Sequence, residues 1–128
     1  MRRSTDNYCF ACGGENPIGL RLKIEERDGG SYFQTTLPRE YQGWSDLIHG
    51  GIVCTLLDEV MVWAASLKGI DTVTAEITVR FKNPTPVGSS LVGKGRITGM
   101  RGKVIFTEGE LFADDQIVAL GRAKLVRI

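Results

Sequence analysis

The sequence predicts an α+β domain in which one curved, mainly antiparallel sheet of about six strands wraps around a single long helix. Three observations support this prediction. Apolar residues occupy every second position over much of the chain, they change to helical spacing between residues 52 and 67, and short turn sequences separate most of the alternating segments. Period-two alternation indicates half-buried strands, and short hairpins join antiparallel neighbours.

Two strands precede the predicted helix. Residues 20–25 alternate between apolar and charged side chains, which predicts a strand that begins at Leu20. The sequence Asp-Gly-Gly at 28–30 predicts a hairpin turn, and residues 31–37 form the returning strand. Residues 1–18 contain turn-forming residues without periodicity, so an irregular N-terminal segment is expected.

The helix is predicted from two overlapping apolar series that run from Ile52 to Leu67. Gly50 and Gly51 stand at its start, and Gly69 follows its end, where glycine commonly terminates helices. Because apolar residues cover nearly the whole circumference, the helix is expected to be covered on nearly every side.

Four strands follow the helix. In residues 73–82 the odd positions are apolar and the even positions are polar, which predicts that Thr74 and Glu76 share the outer, polar face. Pro84 and Pro86 end this strand. The remaining strands are expected at 89–99, 103–113 and 117–127, separated by turns at 101–102 and 114–115.

Composition excludes several classes of partner. The 16 basic and 15 acidic residues give a formal charge of +1, without the basic excess typical of nucleic-acid-binding proteins. The apolar stretch at 52–67 is too short and too charged for a membrane span. Three cysteines and no visible secretory signal predict a cytoplasmic location. The 128 residues contain no linker or repeat, so residues 1–128 are expected to form one domain, and the 16 glycines are interpreted as turn residues.

One segment combines features of a catalytic site. His49, Gly50 and Gly51 open the helix, and Asp58 follows nine positions after the histidine. A helix N-terminus presents unpaired N–H groups that stabilise negative charge, including a developing oxyanion. A carboxylate in an apolar helix is costly without a partner, which favours a functional role for Asp58. Glu59 points about 100° away, where a structural hydrogen bond or ion pair is expected.

These residues resemble the hotdog-fold thioesterases, in the PaaI-like subgroup related to the phenylacetate-pathway thioesterase. The resemblance covers nearly the whole chain and implies the hotdog fold. It implies hydrolysis of an acyl- or aryl-CoA thioester to free acid and CoA, with coenzyme A present only as part of the substrate and no separate cofactor. The matching segments are HGG at 49–51 with Asp58, CFACG at 9–13, NPIGL at 16–20, YQGW at 41–44 and FKNPTP at 81–86.

The resemblance also implies roles for individual residues. The Gly50 N–H would polarise the thioester carbonyl beside His49, while Asp58 would act as general base or nucleophile and Thr74 would orient the attacking water. The site would lie at the interface of a homodimer or homotetramer, with Asp58 and Thr74 expected from different subunits. Some relatives also hold the carbonyl with an Asn or Gln seven residues before the glycine, a position that is Gly43 here.

Further residues are candidates for contacts with the CoA ester. Gln42 lies next to the departure at Gly43, and Gly51 follows the predicted oxyanion donor. Basic residues after the helix could meet the phosphates of CoA or could lie on a solvated strand face. The substrate-binding candidates are Gln42, Gly51, Arg80, Lys82 and Asn83.

Several alternatives remain open. The only histidine, His49, could cap the helix without taking part in catalysis. A non-catalytic acyl-CoA-binding hotdog protein is a second interpretation, and a 3-hydroxyacyl thioester dehydratase is a third, although its motif is not found. Cys9 and Cys12 resemble half of a zinc site or a redox pair, but a four-ligand site lacks suitable partners among the remaining Cys and His, so no metal is expected.

Overall fold

Six antiparallel strands form one sheet, and one helix lies against it, in a computed structural model that describes residues 6–128. The predicted irregularity of residues 1–5 lies outside the described residues. The strand order is β1-β2-β4-β5-β6-β3, and every neighbouring pair is antiparallel, which confirms the predicted architecture. The elements are β1 (Glu25–Arg27), β2 (Gly30–Thr35), a 3-10 turn (Arg39–Tyr41), α1 (Gly50–Ser66), β3 (Thr72–Phe81), β4 (Leu91–Arg101), β5 (Val104–Ala113) and β6 (Gln116–Arg127).

The first strand is shorter than predicted, since it begins at Glu25 and not at Leu20. The N–H groups of Leu20 and Leu22 each donate to a carbonyl of the preceding segment, at Phe10 and Ala11, over 2.9 Å. Between them the backbone of Arg21 has a φ of 57°, a left-handed conformation that interrupts an extended strand. Local pairing with residues 10–11 therefore replaces pairing within the sheet.

Helix α1 begins and ends close to its predicted bounds, and Gly69 follows it with a φ of 78°. The prediction of cover on nearly every side is wrong, because Asp58, Glu59 and Trp63 are only half-buried. Among residues 6–128, no helix is long and apolar enough to cross a membrane. The fully packed side of α1 consists of Val53, Leu56, Leu57, Val60, Met61, Ala64 and Ala65.

Helix α1 packs on a row of glycines that crosses the sheet. Gly95, Gly109 and Gly121 are direct neighbours on β4, β5 and β6. A Cβ atom at Gly95 would collide with the carbonyl oxygen of Val60, and one at Gly109 or Gly121 would lie 3.0 Å from Met61. The missing side chains let the helix backbone approach the strands directly.

The interpretation of glycine as a turn residue is therefore wrong for the sheet. All sixteen glycines lie in the described part of the chain, and a positive φ occurs at four of them: Gly29, Gly69, Gly88 and Gly102. The hairpin between β5 and β6 instead uses Asp114 and Asp115, which both adopt positive φ. The glycines of the row make space for α1. Alternation along a strand does not reveal that such space is needed.

Strand β3 contains a bulge between Thr74 and Glu76. Thr74 pairs with Leu125 and Ile77 pairs with Ala123, and both partners are buried. Because cross-strand partners share one face, Thr74 and Ile77 both face the helix. The prediction that Thr74 shares the outer face with Glu76 is wrong, since the extra residue of the bulge inverts the alternation.

Replacing Gly95 by alanine is expected to lower the free energy of unfolding by about 1–3 kcal/mol or more, because the new methyl group overlaps the helix backbone. Gly99→Ala in the same strand is the matched control, since its Cβ would meet only Phe106 at 3.9 Å. Urea unfolding followed by circular dichroism measures both variants. Equal stability of the two would contradict close packing at the glycine row.

Candidate active site

The imidazole of His49 caps helix α1. Its Nδ1 atom accepts a hydrogen bond of 2.8 Å from the N–H of Gly51, and its backbone carbonyl accepts from Ile52 and Val53. Since Nδ1 acts as acceptor, a neutral ring carries its proton on Nε2. His49 therefore caps the helix, and the Gly51 N–H is already used within the chain.

The N–H of Gly50 remains available at the first turn of α1. No hydrogen bond joins it to any atom of residues 6–128, as expected for the first position of a helix. It opens on a cleft of about 650 Å³ that His49, Gly50, Trp44 and Phe81 help to line. The side chains of Trp44 and Phe81 are 85% and 54% exposed, so this terminus combines a free donor with exposed apolar surface.

Some relatives hold the thioester carbonyl with an Asn or Gln in the loop before the helix. In this chain that position is Gly43, which has no side chain. A Cβ atom at Gly43 would lie 3.3 Å from the Cα and Cδ2 atoms of His49, so the loop packs closely on the imidazole. The neighbouring Gln42 does not line the cleft, and its Oε1 atom accepts a hydrogen bond from the N–H of Asp46. Gln42 thus stabilises the loop itself.

Asp58 and Thr74 meet within one chain. The Thr74 hydroxyl donates a hydrogen bond of 2.6 Å to Oδ1 of Asp58. The expectation that these two residues come from different subunits is wrong, because the bulge in β3 turns Thr74 towards its own helix. The half-buried carboxylate keeps its second oxygen free of hydrogen bonds from residues 6–128.

Within one chain, the two halves of the predicted site lie far apart. Gly50 and Asp58 are eight residues apart on α1, which corresponds to about 12 Å along the helix axis. Asp58 does not line the cleft at the helix N-terminus. A single carbonyl group therefore cannot contact both the Gly50 N–H and the Asp58 carboxylate of the same chain.

The predicted substrate-binding residues that follow the helix in the sequence lie on two different surfaces. Lys82 and Asn83 line the cleft beside Gly50, although the Asn83 side chain donates 2.8 Å to the carbonyl of Ile117. Arg80 lies elsewhere, in a groove on the face of the sheet opposite α1, with Arg96, Glu108 and Arg122. Lys82 is therefore the cation placed to meet a ligand in the cleft.

A second cluster contains Cys9, Cys12 and Glu59, whose sulfur and carboxylate atoms all lie within 4.8 Å of one another. Burial raises the pKa of the Cys12 thiol, and the adjacent Glu59 carboxylate raises it further. Burial also raises the pKa of Glu59, although hydrogen bonds from Cys12 and Trp63 lower it in part. Sequence reasoning missed Glu59 because only cysteine and histidine were considered as partners of the two thiols.

An exposed aromatic residue of the cleft, Phe81, was also missed as a site residue. It stands in a segment that carries the resemblance, FKNPTP at 81–86, which is the signal that could have identified it. The Phe81 ring lies close to Gly50, since a Cβ atom added at Gly50 would be 3.7 Å from the ring, an ordinary van der Waals contact. The ring thus forms one wall beside the Gly50 N–H.

We expect His49→Ala to lower the free energy of unfolding by about 1 kcal/mol, because the Gly51 N–H loses its acceptor. His49→Asn should recover most of this loss, since asparagine is a favoured N-cap residue. Urea denaturation of wild type, His49→Ala and His49→Asn tests whether the imidazole stabilises the helix as a cap. If asparagine is no better than alanine, capping by the imidazole does not stabilise the helix.

A family model and a curated relative match part of the chain. A family model described as thioesterase superfamily matches residues 46–120. Acyl-coenzyme A thioesterase THEM4 from Xenopus laevis is 27% identical over 74 residues, which are 58% of this chain and 33% of that protein. The chain therefore spans about a third of the length of this curated relative.

Solved structures share the fold over most of the chain. A thioesterase superfamily protein superposes with a TM-score of 0.88 at 29% identity, covering 94% of this chain and 63% of the other. The PaaI protein of the E. coli phenylacetic acid degradation operon gives 0.77 at 23% identity, covering 84% and 79%. A hypothetical thioesterase protein from Streptococcus pneumoniae TIGR4, solved with coenzyme A, gives a TM-score of 0.77 at 18% identity, covering 83% and 87%. The matched family model covers more than half of the chain, and the chain thus belongs to the thioesterase superfamily.

Proposed function

We propose that this protein hydrolyses an acyl- or aryl-CoA thioester to the free acid and CoA. The observation that carries the proposal is the hydrogen bond from Thr74 to Oδ1 of Asp58. It fixes a half-buried carboxylate on the helix and leaves its other oxygen available for a water molecule or a carbonyl carbon. A carboxylate held in this way can act as general base or as nucleophile.

The reaction follows from these two groups. As general base, Asp58 takes a proton from water while the hydroxide oxygen forms a bond to the thioester carbon. The carbonyl oxygen then carries negative charge, which the Gly50 N–H at the positive end of α1 stabilises. Collapse of the tetrahedral intermediate breaks the C–S bond, and the proton held by Asp58 returns to the departing CoA sulfur.

The site requires two copies of the chain. Because about 12 Å separate Gly50 from Asp58 along one helix, we assign the oxyanion donor and the carboxylate of one active site to different subunits. A twofold dimer with this arrangement has two equivalent sites. The half-buried side of α1, which carries Asp58, is the surface that such a partner would cover.

The comparisons support the substrate class. One structural relative was crystallised with coenzyme A, and the Xenopus relative is an acyl-coenzyme A thioesterase. Two crystallised variants of the streptococcal protein replace an Asp and a Thr by Ala, and these are 16 positions apart, the separation of Asp58 and Thr74. In the proposal coenzyme A belongs to the substrate, and the enzyme works in the cytoplasm without a separate cofactor for hydrolysis.

A non-catalytic acyl-CoA-binding protein is the second candidate. The observation that favours it is Gly43, which leaves the carbonyl without the side-chain amide found in some relatives. Hydrolysis would then depend on the Gly50 N–H as the main oxyanion donor. Binding of CoA esters without turnover would distinguish this function from hydrolysis.

Asp58→Asn is expected to reduce kcat by about a hundredfold or more on a panel of acyl- and aryl-CoA esters, because asparagine cannot accept the proton. Chromatographic loss of the thioester measures turnover without interference from the cysteines. Asp115→Asn, at an exposed hairpin position with a φ of 69°, is the matched control and should retain full activity. A wild-type protein that binds these esters and hydrolyses none of them would establish the binder instead.

Gly50→Pro should abolish most activity while the fold survives. Proline suits the first position of a helix and removes only the N–H, and the His49 ψ of 137° suits a residue that precedes proline. Gly50→Ala keeps the N–H and is the matched control, since its Cβ would make an ordinary contact with Phe81. We expect kcat/KM to fall at least tenfold more in the proline variant.

Mixing the two inactive variants tests the shared site. In a dimer of one Gly50→Pro chain and one Asp58→Asn chain, one of the two sites keeps both native groups if they come from different subunits. Refolding an equal mixture should restore about a quarter of the wild-type activity, because half of the dimers are mixed. No recovery in a mixture shown to contain mixed dimers would place both groups in one chain.

A further inference from the structure

Residues 9–13 form a tight knuckle against the middle of helix α1. The N–H of Gly13 donates 2.8 Å to the carbonyl of Cys9, and a Cβ at Gly13 would collide with the Cys9 backbone. The N–H of Ala11 donates to the Cys9 sulfur over 3.4 Å. The turn therefore brings the sulfurs of Cys9 and Cys12 together, with a backbone amide directed at one of them.

The helix supplies a third donor to this knuckle. The Glu59 carboxylate lies within 4.8 Å of both sulfurs, and the indole N–H of Trp63 donates a hydrogen bond of 2.9 Å to its Oε2 atom. No lysine or arginine within residues 6–128 forms an ion pair with Glu59. Three groups that carry negative charge when deprotonated thus converge where those residues provide no cation.

We propose that Cys9, Cys12 and Glu59 bind a zinc ion. Two thiolates separated by two intervening residues are a common zinc-binding pair, and zinc accepts carboxylate oxygen as a further ligand. A tetrahedral ion holds such donors about 3.5–3.8 Å apart, so the three groups need to move by only about 1 Å. The two thiol protons pass to solvent on binding, which leaves the sulfurs as ligands.

The surrounding hydrogen bonds match a metal site better than a redox pair. The amide of Ala11 stabilises a thiolate at Cys9, and the indole of Trp63 orients the Glu59 carboxylate, as outer partners of metal ligands commonly do. A disulfide between Cys9 and Cys12 would give no role to the glutamate. The fourth position of the ion is left to water, as in zinc sites with three protein ligands.

The proposed ion would attach the N-terminal segment to the helix. The backbone carbonyls of the knuckle accept hydrogen bonds from the N–H groups of Leu20 and Leu22, whose side chains are buried in the core. Cys9 and Cys12 lie outside residues 46–120, which match the family model, whereas Glu59 lies within them. None of the three has a role in the proposed hydrolysis, so the two proposals can fail independently. Because the ion would link two segments of the chain, loss of the metal should lower stability.

Metal analysis of the full chain, purified without tag or chelator and dialysed against buffered micromolar Zn²⁺, tests the site. Wild type should hold about one zinc per chain, and Cys9→Ser/Cys12→Ser should hold less than a tenth of that. Cys54→Ser is the matched control and should retain the metal. Substitution by Co²⁺ should give a thiolate charge-transfer band in wild type that the double variant lacks.

Glu59→Gln separates the carboxylate from the thiols. Glutamine keeps an oxygen for the Trp63 N–H, so the helix should remain intact while zinc affinity falls at least tenfold. A chelator should lower the Tm of wild type and leave that of the double cysteine variant unchanged. Failure of the reduced wild type to bind Zn²⁺ at micromolar concentration, or equal zinc content in the double variant, would overturn the proposal.

Discussion

Direct contact between helix α1 and the glycine row is the constraint on which the rest of the structure depends. Gly95, Gly109 and Gly121 remove side chains from three neighbouring strands, so the helix backbone reaches the sheet. The buried Ser31 hydroxyl, whose strand neighbour is Gly95, donates a hydrogen bond to the Val60 carbonyl and fixes the helix along its axis. This contact fixes the rotation of α1 and hence the direction in which each remaining side chain points.

That rotation positions the candidate chemistry. Leu57 packs against Gly109 and Gly121, so the next residue, Asp58, turns about 100° away from the sheet centre towards β3. The bulge in β3 presents Thr74 to it. At the other end of the helix, the His49 cap occupies the Gly51 N–H and leaves that of Gly50 for a ligand. Backbone geometry thus prepares both halves of a site that two chains complete in the proposed enzyme.

The sequence predicted the helix, the last four strands and the segment that opens α1, because long periodic patterns report directly on burial. It did not predict the half-exposed side of α1, since the apolar pattern of a helix does not tell which of its residues the core covers. The face of Thr74 was missed because a bulge adds one residue without changing composition. Glu59 was missed as a partner of Cys9 and Cys12 because about 50 residues separate them in the sequence.

The sequence by itself determined the element order, the antiparallel hairpins and the residue types at positions 49–51 and 58, since these follow from local periodicity, turn chemistry and motif spacing. Only the tertiary structure decided which of these residues meet. It placed Thr74 on Asp58 within one chain, kept Gly50 about 12 Å from that carboxylate, and moved Arg80 to the opposite face of the sheet. The physical reason is that contacts between distant segments depend on helix rotation and strand register, which packing of the whole core sets.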